Sequence, residues 1–228
     1  MKYYKLQAAI NKKEIGKYPQ CLGVKTEMGD IQNYGLGFFG EIKEPFELPD
    51  LEIRKEAYLS HYISVVPINS IIFLLLEERL IEFLKSWNIP AHQLWGIEVY
   101  YKLSKLTNYK LFHLSKPIDE KIIDFNKTEF TIYYKASQLS EKRKFANYLE
   151  YHNSRQKSIY ENLIEVRYDE VFLNLQELDL DMFRIMDLPK GIGYYISERL
   201  KIGIEKMGFT GMSFQEIEKV DARFSFID

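Results

Sequence analysis

A single cysteine, Cys21, stands among 228 residues, so no disulfide can close within the chain, and the lone thiol fits a reducing compartment. Long apolar runs are missing too. The longest, residues 71–76, stops at Glu77-Glu78, far short of the roughly 20 residues a helix needs to cross a bilayer. The first residues, Met1-Lys2-Tyr3-Tyr4-Lys5-Leu6-Gln7, lack the apolar stretch that a secretory signal places before its cleavage site. A cytoplasmic protein with no membrane insertion is the expectation. Charge of one sign is not in excess either: the net charge is −2 and the pI near 6.2, which gives no general attraction to phosphate backbones. The one dense basic run, Lys142-Arg143-Lys144, is short. Direct nucleic-acid binding is therefore not expected.

What the chain does have is apolar and aromatic mass. At 46% hydrophobic it is long enough to bury a core. Its 17 tyrosines and 15 phenylalanines suit broad sheets with large side chains, and equally a partner-facing surface.

The most informative pattern is an internal echo. Glu78, Arg79, Leu80, Ile97 and Glu98 recur, without a gap, as Glu198, Arg199, Leu200, Ile217 and Glu218. Both copies share one grammar: an apolar run, a polar switch, helical spacing, a break and an extended segment. In the first copy Leu80, Phe83, Leu84 and Trp87 recur at helical spacing, and Asn88 with Pro90 stops the helix. Residues 71–76 before it are a buried strand or the start of the helix, since so short a run does not decide between them. In the second copy Ser197 is the expected N-cap, with Glu198 favourable at the positive helix end. Leu200, Gly203, Ile204 and Met207 form the expected inner stripe, and Gly208 the left-handed stop with Phe209 folding back. Extended segments are expected at 94–101 and 212–217.

Elsewhere, residues 3–10 read as extended and residues 16–49 as short strands and turns, because glycine and proline punctuate them. Residues 51–63 are ambiguous between helix and loop. Strands are expected at 110–114, 130–134 and 164–168, and a helix over 141–163. The fold class that follows is α+β, or a mixed α/β sheet, with two similar strand-helix-strand units at about 68–101 and 188–218. No flexible linker separates them, so residues 1–228 are expected to form one domain.

Motifs that carry chemistry are sparse. Gly35-Leu36-Gly37-Phe38-Phe39-Gly40 spells G-x-G-x-x-G, but Pro45 and Pro49 follow where a dinucleotide site needs a helix. A glycine-rich turn is the better reading, and no cofactor is expected. His61, His92, His113 and His152 show no metal-ligand spacing, so no metal site is expected. Cys21 could act as a nucleophile only with a histidine brought to it in space. No catalytic residue is assigned. Carboxylates do cluster, at Glu165, Asp169, Glu170, Glu177, Asp179 and Asp181. Alternation with Ile164, Val166 and Tyr168, and again with Leu178, Leu180 and Met182, would put several on one exposed sheet face. That face is either simply solvated or a docking surface for a basic protein, such as a nuclease whose groove expects phosphates.

The segment from Leu180-Asp181-Met182-Phe183-Arg184-Ile185 through Tyr195-Ile196-Ser197-Glu198-Arg199-Leu200-Lys201 to Gly208-Phe209-Thr210-Gly211-Met212-Ser213-Phe214 resembles the carboxy-terminal pattern of a bacterial family. These are the immunity proteins of polymorphic toxin systems, of the type first described in myxobacteria. The first copy of the echo, with Phe112-His113-Leu114 and Phe125 after it, is similar to that family's middle section, with Glu77 where the second copy has Ser197. The resemblance implies a non-enzymatic cytoplasmic protein that binds a cognate toxin and blocks it. It carries over no catalytic residue. Two other classes stand beside it: an enzyme with a site assembled from dispersed residues, and a structural or regulatory subunit.

Overall fold

Glu77 and Ser197 occupy the same place in the two echoed segments, and each ends a strand that turns directly into a helix. The structure, a computed structural model, describes residues 2–27, 41–43, 47–68, 72–116, 118–161, 163–168, 171–175, 178–185 and 193–216. The first half of the chain runs β1 (Tyr3–Ala8), α1 (Lys12–Ile15), β2 (Cys21–Val24), β3 (Leu51–Ile53), β4 (Tyr62–Ile63), β5 (Leu74–Glu77), α2 (Glu78–Leu84), β6 (His92–Gly96), β7 (Val99–Tyr101), β8 (Ser104–Leu106) and β9 (Tyr109–Leu114). The second runs α3 (Asp119–Ile122), β10 (Phe130–Tyr134), β11 (Leu139–Arg143), α4 (Tyr148–Glu161), β12 (Ile164–Tyr168), β13 (Met182–Ile185), β14 (Gly193–Ser197), α5 (Glu198–Lys206) and β15 (Met212–Glu216). These strands form four sheets in the orders β13-β14-β1-β15, β4-β5-β9-β6, β2-β3-β7-β8 and β11-β10-β12. Among the described strand pairs, β3 with β7 is parallel and the rest are antiparallel. The fold is mixed and sheet-rich: of the expected classes, α+β or a mixed α/β sheet, the mixed character is present and a clear α+β arrangement is not.

Two of the sheets follow one plan. The partners Tyr62↔Leu76 recur as Met182↔Ile196, Leu74↔Phe112 as Tyr194↔Leu6, and Leu94↔Phe112 as Phe214↔Leu6. The place that β9 fills in the first sheet is filled in the second by β1, from the opposite end of the chain. The halves bond to one another through Tyr62 N, which donates to Thr210 O at 3.1 Å, and Asp181 N, which donates to Asn88 O at 2.7 Å. Within the halves, Glu77 N donates to His61 O and, at the equivalent place, Ser197 N to Asp181 O, each at 2.8 Å.

β14 is buried along its whole length and β5 from Leu74 to Leu76, because both faces are covered. Leu74, Leu76, Tyr194 and Ile196 face a core shared with Leu80, Leu84, Leu200 and Ile204 of the two helices. On the opposite faces, Leu75 packs with Trp95, Val99 and Leu111, while Tyr195 packs with Tyr3, Phe183 and Tyr151. A strand covered on two sides reads as a continuous apolar run, which is why residues 71–76 show no alternation.

The helix ends follow from sequence. Ser197 Oγ accepts from Leu200 N at 3.2 Å, whereas Glu77 makes no side-chain cap. Gly208, at φ 70°, closes α5 with Gly208 N donating to Glu205 O and Phe209 N to Ile204 O, the Schellman pattern. Met207, expected on the inner stripe, is instead 47% exposed. The Gly208 turn brings Phe209 back over the helix to take that place.

Other expectations are corrected. The helix expected over 141–163 spans only Tyr148–Glu161. Asn147 Oδ1 accepts from Glu150 N and Glu150 Oε2 from Ala146 N, a cap that starts the helix there, while Leu139–Arg143 is an edge strand on β10. The single strand expected at 94–101 is two strands in different sheets. Residues 51–63, read as helix or loop, contribute β3 and β4. Residues 178–181 are not a strand; β13 begins at Met182. The G-x-G-x-x-G at 35–40 lies outside the described residues.

Candidate functional site

A cleft of about 780 Å³ opens where β1 runs past the start of β14. Its walls are Lys5, Leu6, Gln7 and Ala8 on one side and Tyr62, Ser64, Val65, Val66 and Ile68 on the other, with Gly193 and Tyr194 between them and Ile10, Tyr18 and Pro19 at the rim. Gly193 adopts φ 144°, and a Cβ there would stand 3.1 Å from Lys5 Cε. Glycine is therefore what lets the Lys5 stem lie along the cleft. Burial pulls the Lys5 ammonium below its usual pKa.

The far wall is held rigidly. Gln20, 1% exposed, donates its backbone N–H to Ser64 Oγ at 2.9 Å. Its side-chain Oε1 accepts from Ser64 N at 3.0 Å, and Nε2 donates to Tyr58 O and Ser60 Oγ. One buried amide thus fastens the Tyr18-Pro19 loop to residues 58–64. The rim is apolar and open: Ile10 is 70% and Val66 61% exposed, and Tyr18, Leu22, Tyr58 and Leu59 are exposed on the same two segments.

The other half of the fold shows the same place filled. By the shared register, Gly193, Gln7 and Ser64 correspond to Phe73, His113 and Arg184. Those three side chains are fully buried. Arg184 Nη1 lies 3.3 Å from His113 Nδ1, which is also 3.1 Å from Ile72 O, and the Phe73 and His113 rings are 5.5 Å apart. Tyr194 separates the open cleft from this plug. Its hydroxyl donates to Ile72 O and lies 3.4 Å from Leu114 N. Burial pushes its pKa up to about 12 against the opposing pull of Arg184, so it stays a neutral phenol.

Of the six carboxylates singled out from sequence, the three that are described, Glu165, Asp179 and Asp181, do not form one free acidic face. Asp169, Glu170 and Glu177 lie outside the described residues. Glu165, on β12, is half-buried and bound to Arg167 at 2.8 Å, which lowers its pKa. Asp179 is exposed and meets Arg199 Nη2 at 3.1 Å. Asp181 is the clear correction: its side chain is 3% exposed, and it accepts from Asn88 N at 3.1 Å, Ser197 Oγ at 2.6 Å, and Arg199 Nε at 2.5 Å and Nη2 at 3.0 Å. It ties the two halves together and is not available to a partner.

Cys21 is a buried thiol on β2 whose pKa burial pushes up to about 11, so it stays protonated and unreactive at neutral pH. The histidines sit in separate settings: His61 against Thr210, His92 stacked on Phe112, His113 in the plug and His152 beside Tyr148 on α4. Among the described residues, no three His, Cys, Asp or Glu side chains are grouped to hold a metal ion, and no helix is long and apolar enough to cross a membrane.

Sequence reasoning missed the cleft. The usable signal lay in the echo's mismatches rather than its identities: glycine at 193 stands in a strand where the first copy has Phe73. In comparisons with known proteins, no family model matches the chain and no curated protein matches it.

Proposed function

We propose that this chain is an immunity-type protein, acting in the cytoplasm, that neutralises a cognate protein toxin by binding it and covering its working surface. The observation that carries the reading is the cleft. A duplicated fold that fills one junction of its halves with Phe73, His113 and Arg184 leaves a cleft at the equivalent junction, and sets exposed apolar side chains around it. A rigid, partly apolar concavity of this kind suits capture of another protein's surface. The resemblance of residues 180–214 to polymorphic-toxin immunity proteins points the same way. A tight blocking complex would bury roughly 1,200–2,000 Å² in total, more than the cleft alone offers, so the exposed side chains of residues 10–22 and 58–66 belong to the same footprint.

The test is a growth assay. Each reading frame adjacent to this gene is expressed inducibly, alone and together with this chain. The reading requires that one neighbour arrest growth and that this chain, but not an unrelated acidic protein of similar size, restore it. A toxic neighbour left unrescued would refute it.

A further inference from the structure

We infer that the cleft between β1 and residues 62–68 is the docking groove, and that its occupant is an acidic segment of the partner protein carrying an apolar side chain between its carboxylates. This rests on the toxin-binding reading and reverses the expected charge relationship, in which an acidic face of this chain would meet a basic toxin.

Charge argues for it first. Residues 2–25 hold lysines at 2, 5, 12, 13, 17 and 25 and a single acid, Glu14; of these lysines, Lys2 is taken up by Glu216 on β15 at 3.0 Å. Glu14 is already engaged, accepting from Gly211 N at 2.6 Å. Lys5 lines the cleft itself. Lys12, Lys13 and Lys17 lie on the short turn of chain between the rim residues Ile10 and Tyr18; they are exposed and enter none of the ion pairs found among the described residues. Of the neighbouring elements, the turn packed on Gly16 adds Arg54 and Lys55 against Glu56. The balance on this side of the molecule is positive although the chain as a whole is at −2.

Shape and polarity supply the rest. At about 780 Å³ the cleft falls in the roughly 300–1,000 Å³ range of concavities that bury a ligand. Ile10, Tyr18 and Val66 offer apolar contact at its mouth, and Gln20 keeps its wall in place without the partner. An apolar side chain would enter the cleft beside the Lys5 stem, with flanking carboxylates reaching the exposed α1 lysines. Such pairing steers encounter and fixes register.

The experiment measures binding of the purified chain to the product of the adjacent toxic reading frame, in a form disabled for toxicity. The variants are K12E/K13E/K17E, Val66→Asp, and Glu165→Lys with Asp179→Lys. Of the substituted residues Glu165 is half-buried and the others are exposed, and thermal melts check that each variant folds. The lysine triple variant is expected to weaken binding by on the order of tenfold or more, mainly through slower association and most at low salt. Val66→Asp is expected to weaken it comparably, and the acidic-face variant to bind as the parent does. If the parent binds and the cleft variants bind equally well, or only the acidic-face variant is impaired, the groove assignment is overturned while the toxin-binding function stands. If the parent itself does not bind, both fall. An oligonucleotide bound by the parent and lost in the lysine triple variant would overturn the assignment in favour of a nucleic-acid groove.

Discussion

The tip of the Phe83 ring lies 2.9 Å from the point that a Cβ on Gly203 would occupy, and Phe83 and Gly203 are the same position of the two halves. Trp87 closes over the same point, its Cζ2 2.7 Å away. The helices α2 and α5 thus meet at equivalent residues, one a large aromatic ring and the other with no side chain beyond hydrogen. The ring cannot swing aside freely, since it also packs on Phe209 at 5.2 Å and Trp87 at 5.6 Å between centroids.

Gly203→Ala is therefore expected to destabilise the fold. In an open helix the change would stabilise by roughly 1 kcal/mol; here overpacking costs about 1–3 kcal/mol. A net loss of about 1 kcal/mol in chemical denaturation is expected, relieved in part when Phe83→Leu is added, since Trp87 still closes over the same point. A gain in stability would show that the two helices do not meet as described.

The two N-termini differ in one residue, and the difference is testable. Glu77 leaves α2 without a side-chain cap and has a buried carboxylate oxygen, Oε2, with no hydrogen-bond partner among the described residues. Ser197 caps α5 and also donates to Asp181. Glu77→Ser should stabilise by about 0.5–1 kcal/mol, and Ser197→Ala should cost about 1–2 kcal/mol, both read from urea midpoints.

Acid should loosen the clasp between the halves in two steps. His61 accepts the Thr210 N–H at Nδ1, 3.0 Å away, so its ring is neutral there. Burial lowers its pKa below 6.5, with Glu77 pulling it back up and Arg79 pulling it down again. The unfolded chain takes up this proton first, so the stability contributed is complete above about pH 6.5 and is lost as pH falls through the folded value. For Asp181, burial pushes the carboxyl up, but hydrogen bonds from Arg199, Ser197 and Asn88 outweigh it and hold it below 3.8. Its contribution is present above about pH 4 and disappears as pH falls through the folded value. Thermal melts across acidic pH should show both declines, the upper one absent in His61→Gln and the lower one in Asp181→Asn.

Much of this fold was legible from sequence, and the reasons are local. The Ser197 cap, the Gly208 stop and the repeated Glu-Arg-Leu at the strand-helix junctions each act within a few residues of themselves. The cleft was not legible, because it depends on β1 pairing with strands at the far end of the chain, Lys5 opposite Tyr195 and Gln215. Asp181 was misplaced for a related reason. Alternation with Leu180 and Met182 pointed it outward, yet Asn88 and Arg199, from two other segments, hold it inside. Local patterning reads what a residue prefers, not which distant partner reaches it.

The same long-range pairing makes the amino-terminal strand indispensable. β1 is an inner strand of its sheet, between β14 and β15, and contributes Tyr3 and Leu6 to two separate cores. Removing residues 1–8 should abolish cooperative unfolding of the chain in calorimetry, and adding those residues back as a peptide should restore it in part. An undiminished transition after the deletion would contradict the strand order.

The most direct test of the central claim is hydrogen exchange on the chain alone and in complex with the disabled toxin. The account predicts that amides of residues 5–19 and 62–68 gain protection in the complex while those of β12 and residues 178–181 exchange unchanged. Protection confined to β12 and residues 178–181, with the cleft exchanging as in the free protein, would contradict it.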